Sequence, residues 1–231
     1  MTFSRKTHHA FCSYNIHGEI LSRVDEMKDI GVMFDSNLRF DSHVTKVVNS
    51  SFRTLGAASR VTKNFKHPSA FLTLYCSLAR SQLEYGSVVW NGISKTNSMG
   101  IERVQKKFIS ILKHRYLRED VPRKGYEASL EHFKLFSLHR RREKADLLFW
   151  FKIMHGIINS PELLSQVSLR VPRVATRLQS SFYISRAFNQ LVPTLRLAEC
   201  YNRHSEALDI FNSNYRAFNQ SIVSLFMLEQ G

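Results

Sequence analysis

The stretch Asp41-Ser-His-Val44-Thr-Lys46-Val47-Val48-Asn-Ser-Ser-Phe52-Arg53-Thr-Leu55-Gly-Ala-Ala-Ser-Arg60-Val-Thr-Lys63 decides how this chain folds. Val44, Val47, Val48, Phe52 and Leu55 recur at helical spacing, which predicts an amphipathic helix to about Lys63 with Asp41 as its cap. On the opposite line stand Lys46, Arg53 and Arg60, seven residues apart. Such a line can follow a phosphate backbone, although a basic line taken alone is more often an ordinary solvated face.

Upstream of this helix the period is two. Met1–Arg5, Phe11–Ile16, Glu19–Val24 and Lys28–Asp35 read as short β-type runs, with His17-Gly18 as a hairpin turn. Downstream, Pro68 opens a second helix with Phe71, Leu72, Tyr75, Leu78 and Leu83 as its apolar stripe, weakened at Gly86 ahead of Val88-Val89-Trp90. After the polar link Asn91–Ser98, a third helix carries Ile101, Val104, Phe108, Ile111 and Leu112 on one face. Arg103, Lys106, Lys107, Lys113 and Arg115 lie opposite, with Glu102 as the balancing acid. Three such helices joined by short links predict a small bundle.

Asp120–Gly125, with Pro122 and Gly125, marks a boundary. Beyond it, Leu138–Ile158 reads as a long helix whose second half, Leu147–Met154, is apolar on every side and therefore buried. Residues 159–200 read as irregular with short elements. Glu206–Met227 reads as a terminal helix presenting Leu208, Phe211, Tyr215, Phe218 and Ile222. The expected class is α+β, predominantly α-helical, in three parts: 1–40, 41–118 and 119–231. Nine glycines and five prolines are too few for a turn-rich sandwich or barrel.

The charge is uneven. The chain of 231 residues holds 33 Lys plus Arg against 19 Asp plus Glu, for a net +14, and residues 42–118 alone hold 13 against 2, or +11. A concentrated basic charge is the footprint of a phosphate-rich partner. A membrane partner is disfavoured, because no apolar run approaches a span and no basic face is paired with a long apolar one. Cys12, Cys76 and Cys200 have neither zinc-ligand nor disulfide-framework spacing. With no signal-peptide core at the start, the expected location is intracellular, in cytoplasm or nucleus.

Catalytic signatures are weak: no Gly-rich phosphate loop, nucleophile elbow or His-Glu-x-x-His is present. Asp25, Glu26 and Asp29 would suit a two-metal site by residue type, but their neighbours favour turn and edge positions. His8-His9 reads as a solvated pair and Cys76 as core filler. Arg140-Arg141-Arg142 are spread by helical geometry around the circumference, so some of them pair with carboxylates or carbonyls rather than with phosphate.

Lys28-Asp-Ile-Gly-Val-Met-Phe-Asp-Ser-Asn-Leu-Arg-Phe40, followed by His43, resembles the segment after the polymerase active site in jockey-like non-LTR retrotransposon reverse transcriptases. Arg53-Thr-Leu-Gly56, Leu74-Tyr-Cys-Ser-Leu78, Arg80-Ser-Gln-Leu-Glu-Tyr-Gly86 and Val89-Trp90-Asn91 resemble that family's thumb helices in order and spacing. Ile101-Glu-Arg-Val-Gln-Lys-Lys-Phe108, Arg140-Arg141 and Asp209-Ile210-Phe211 are similar to its later stretches.

The resemblance implies a palm and primer-grip remnant in 1–40, with Lys28, Ile30 and Gly31 as primer-grip-like residues, and a thumb in 41–118. It implies nucleic-acid contacts from Lys46, Arg53, Arg60, Lys63, Arg103, Lys106 and Lys107, and RNA or RNA/DNA duplex as partner. The family's catalytic Phe-Ala-Asp-Asp or Tyr-x-Asp-Asp turn is not in this sequence, so no catalytic residue, metal ligand or cofactor is expected; Mg2+ would belong to the palm site. The expectation is therefore a polymerase fragment that retains a basic thumb. The alternatives are an incomplete gene model of an active reverse transcriptase, or a helical protein-interaction module built on the apolar C-terminal half. N-terminal strands without their sheet would favour self-association.

Overall fold

The computed structural model describes residues 1, 3, 13–116, 125–170, 180–184 and 192–229, which form an α+β, predominantly helical chain. Strand β1 (Asn15–Ile16) pairs antiparallel with β2 (Glu19–Ile20) around His17 and Gly18, whose φ values are 51° and 87°. Strand β3 (Glu26–Asp29) pairs with β4 (Val32–Asp35) around Ile30 and Gly31, at φ 41° and 83°. Two successive positive φ values match the twist of the flanking strands. The run Lys28–Asp35, expected as one strand, is thus folded in two. Ile30 concealed the turn, because a β-branched residue rarely adopts positive φ. Met1–Arg5 and the start of Phe11–Ile16 lie largely outside the described residues. Every residue of 13–31 is exposed, including Tyr14, Ile16, Ile20 and Ile30.

Helix α1 (Asp41–Val61) follows the predicted stripe, burying Val44, Ser51, Leu55 and Ala58. Asp41 does not cap it. Phe40 holds the cap position at φ 59° with no side-chain acceptor. The turn before the helix is organised by Asp35, whose carboxylate accepts the N–H groups of Asn37, Arg39 and Phe40 at 3.0, 3.0 and 2.6 Å.

Helix α2 (Pro68–Leu74), a π-helical stretch Tyr75–Arg80 and α3 (Ser81–Glu84) form one continuous rod. Ser77 Oγ donates to the Thr73 carbonyl at 2.8 Å, a side-chain bond that competes with the backbone ladder where the winding loosens. Gly86, at φ 61°, ends the rod, and Ser87–Trp90 forms the short α4. Helix α5 (Lys95–Tyr116) begins inside the expected link.

The first core gathers Leu55, Phe71, Tyr75, Leu83, Trp90, Val104, Phe108 and Leu112. Phe108 stacks on Tyr75 at 3.9 Å and tilts against Phe71 at 4.9 Å. The Tyr75 hydroxyl donates to Gln105 Oε1 at 2.8 Å, and Gln105 Nε2 donates onward to Tyr126 Oη and the Phe136 carbonyl, so the buried amide is satisfied. Leu130 of α6 (Tyr126–His132), Leu135 and Leu138 join the same core. Packing around the bundle therefore continues past residue 118 into the start of α7 (Leu138–Met154). The expected boundary at Asp120–Gly125 falls almost wholly outside the described residues.

Helix α7 stops at Met154 rather than Ile158, where Gly156 turns at φ 64°. Its apolar half enters the second core through Leu147, Trp150, Phe151 and Ile153, while Leu148, Phe149 and Met154 are half-buried. Trp150 meets Phe182 edge-on at 5.0 Å, and Phe151 stacks on Phe218 at 4.8 Å. After the short α8 (Pro161–Leu164), the segment expected to be irregular contains α9 (Pro193–Arg203), where Pro193 starts a helix rather than breaking one. The terminal helix α10 (Tyr215–Leu228) starts nine residues later than expected. Asp209 folds a turn by accepting the N–H groups of Phe211 and Asn212, and Asn214 caps α10 by accepting Ala217 N–H at 2.8 Å. No described helix is long and apolar enough to cross a membrane.

Three groups, the buried His43 and Glu143 and the more exposed His139, make the fold acid-sensitive. Burial, and for His43 the charge of Lys46, pushes the His43 and His139 imidazoles below their ordinary pKa. Burial alone would raise Glu143, but His204 and Arg203 hold it below the usual carboxylate range. In all three cases the unfolded chain takes up protons that the folded chain refuses, so stability is fullest above about pH 6.5 and falls as pH drops through the lowered histidine values. The melting temperature is expected to decline between about pH 7 and pH 5; a flat or rising profile would contradict this account.

Candidate nucleic-acid interface

Lys46, Arg53 and Arg60 are exposed along α1, opposite its buried face, and Lys63 is exposed just beyond the helix end. On α5, Arg103, Lys106 and Lys107 are exposed opposite Ile101, Val104, Phe108 and Leu112. Among the described residues none of these seven makes an ion pair. The reason lies in the two acids of residues 42–118, both of which are engaged toward α7. Glu84 forms a two-pronged pair with Arg141 and lies 3.8 Å from Arg80. The Glu102 carboxylate accepts the Tyr126 hydroxyl and the N–H groups of Leu138 and His139, where the N-terminal end of α7 favours a negative charge. The basic faces are left unneutralised.

Helices α1 and α5 lie side by side and run in the same direction. Asn97 near the start of α5 donates to Asp41 at 2.6 Å, and Arg115 near its end donates to the Ser59 carbonyl and hydroxyl at 2.8 and 2.6 Å. Arg115, which the wheel had set in the basic row, is thus a tie between helices, with its guanidinium over the Phe71 ring at 5.5 Å. The same ties orient the rest. With Asn97 beside Asp41 and Arg115 beside Ser59, Arg103 and Lys107 stand level with the Val47–Ser51 stretch of α1, whereas Arg60 and Lys63 lie toward the far end of the bundle. Lys106 departs from this group and reaches α6, 5.0 Å from the centre of the Tyr126 ring.

Lys46 belongs to a different neighbourhood. It lines a cleft of about 510 Å³ with Lys28 and Gly31 of the second hairpin, His43 of α1, and Gln82 and Tyr85. The Tyr85 hydroxyl donates to the Ile30 carbonyl at 3.1 Å. A Cβ on Gly31 would sit 3.1 Å from the Tyr85 ring at a left-handed φ, so this position requires glycine on both counts. Two of the three hairpin residues therefore share a cleft with the first cation of the α1 row, while the Ile30 side chain points to solvent, 81% exposed. His43 Nδ1 accepts Met33 N–H at 3.3 Å, so its proton sits on Nε2, which is buried without a partner. His43, Gln82 and Tyr85 were not legible as site residues, because each falls on a helix whose pattern reads as packing.

The remaining candidates resolve as structure. Arg140 donates to the carbonyls of Phe226 and Glu229, Arg141 pairs with Glu84, and Arg142 is buried against Asn91 and Ser98, so this triplet is engaged inside the fold. Glu26 accepts Ser42 Oγ, and the described residues contain no His, Cys, Asp and Glu group able to hold a metal ion. Cys76 is a half-buried thiol packed against the first core, and His8-His9 lies outside the described residues. No family profile, curated protein or solved structure matches the chain.

Proposed function

We propose that this chain is the C-terminal part of a reverse transcriptase of the jockey-like non-LTR retrotransposon type, and that its helical bundle grips RNA or RNA/DNA duplex by the phosphate backbone. The observation that carries the reading is the set of seven exposed cations on α1, the turn after it and α5, left without counter-charge because Glu84 and Glu102 are drawn toward α7. Charges already in water lose little solvation on meeting phosphate, and each neutralised phosphate releases condensed counterions. Polymerisation is assigned to the palm aspartates and their magnesium ions, not to any group of this sequence.

Phosphate contacts carry no base information, so affinity should be nearly independent of sequence. Fluorescence anisotropy with labelled RNA/DNA hybrids of unrelated sequence is expected to give dissociation constants within about threefold of one another. A preference of a hundredfold or more for one sequence would replace this reading with base-specific recognition.

A further inference from the structure

The turn between α1 and α2 carries an unexplained apolar pair. Val61 is 68% exposed and Phe65 is 50% exposed, at the end of a bundle that fully buries Phe71, Tyr75, Trp90 and Phe108 and whose other exposed ring, Tyr85, is tied to the Ile30 carbonyl. The exposure is built in rather than loose. Thr62 is buried, its hydroxyl donates to the Ala58 carbonyl at 2.8 Å, and its own carbonyl accepts Phe65 N–H at 3.1 Å. The turn is thereby anchored on α1 while the Phe65 ring faces water. Around it are Arg60, Lys63, Lys66 and His67, all exposed, and no acid occurs anywhere from Ser42 to Leu83.

A single ring set among cations and free of carboxylates suits a polyanion that also offers a flat apolar face. An unpaired nucleobase beside a phosphate backbone has that chemistry. A protein partner recognised through this patch would have to bring acids and an apolar socket together. A lipid surface would need a broader apolar face than one phenyl ring and one valine.

We infer that Phe65 is a stacking platform for an unpaired base at the edge of a duplex held by the neighbouring cations. The inference rests on the nucleic-acid reading above and adds a specific target to it: a junction between paired and single-stranded nucleic acid rather than a uniform duplex. Arg60 and Lys63 hold the backbone on the duplex side, and the ring receives the first base beyond it.

The test compares two RNA/DNA hybrids of the same paired length, one blunt and one with a short single-stranded extension carrying 2-aminopurine next to the junction. The wild-type chain is expected to bind the extended hybrid about tenfold more tightly and to change the 2-aminopurine fluorescence. Phe65→Ala should remove that preference and the fluorescence change while leaving affinity for the blunt hybrid and the salt dependence as they were; Phe65→Trp should retain both. If the wild type binds both hybrids equally, or if Phe65→Ala keeps the preference, the stacking role is overturned and the basic grip survives. If the wild type binds neither hybrid, the underlying nucleic-acid reading fails instead.

Discussion

Asp146→Ala is expected to destabilise the fold by about 3–5 kcal/mol, the range for removing one partner of a buried ion pair. Asp146 is 2% exposed at the junction of α4, α7 and α9. Its Oδ2 accepts Asn91 Nδ2 at 2.7 Å and lies 3.4 Å from Arg196 Nε. Arg196 also donates to the Val88 carbonyl, and the buried Arg142 donates to Asn91 Oδ1 at 2.9 Å and Ser98 Oγ at 2.8 Å. Without the carboxylate, the buried Arg196 loses its ion-pair partner and the Asn91 amide loses its acceptor.

This network does not amount to surplus stability. Burial raises the Asp146 carboxyl above its ordinary range although Arg196 and Asn91 oppose the shift, and burial likewise lowers Arg142. Asp146 Oδ1 and Arg142 Nη1 are buried without hydrogen-bond partners. The cluster thus fixes how α7 meets α4 and α9 more than it strengthens the contact, which is why breaking it by one member is costly. Urea denaturation of Asp146→Ala against wild type measures the difference; a loss below about 1 kcal/mol would mean the junction is hydrated and the pair expendable.

The sequence revealed the helical class and the register of α1 and α5, because a 3.6-residue period over twenty residues leaves little choice of buried face. Positive-φ geometry at His17-Gly18 was equally legible. The β3–β4 turn was not, because Ile30 is a residue that turns seldom use and only the closure of the strands onto α1 and Tyr85 places it there. The late start of α10 was hidden for a related reason: Leu208 and Phe211 extend its apolar pattern backward, and Asp209 interrupts it with a local turn.

For the interface, the spacing identified which cations leave the core but not how the two rows are staggered. That depended on α1 and α5 running parallel, set by Asn97, which does not stand out in sequence, and by Arg115, which reads there as one more exposed cation. The withdrawal of Glu84 and Glu102 toward α7 is likewise a tertiary fact, since the partners of each acid lie dozens of residues away.

The basic grip is tested most directly by the salt dependence of binding. Seven phosphate contacts predict a slope of log affinity against log salt near −6, a loss of roughly three to four orders of magnitude between about 50 and 200 mM. Arg53 and Arg60 are exposed on α1 and make no ion pair, so Arg53→Gln with Arg60→Gln should leave the melting temperature unchanged. The double variant is predicted to flatten the slope by about two units, one for each lost contact, with equal weakening for hybrids of different sequence. A slope identical to that of the wild type would show that these cations form an ordinary solvated face and would contradict the account.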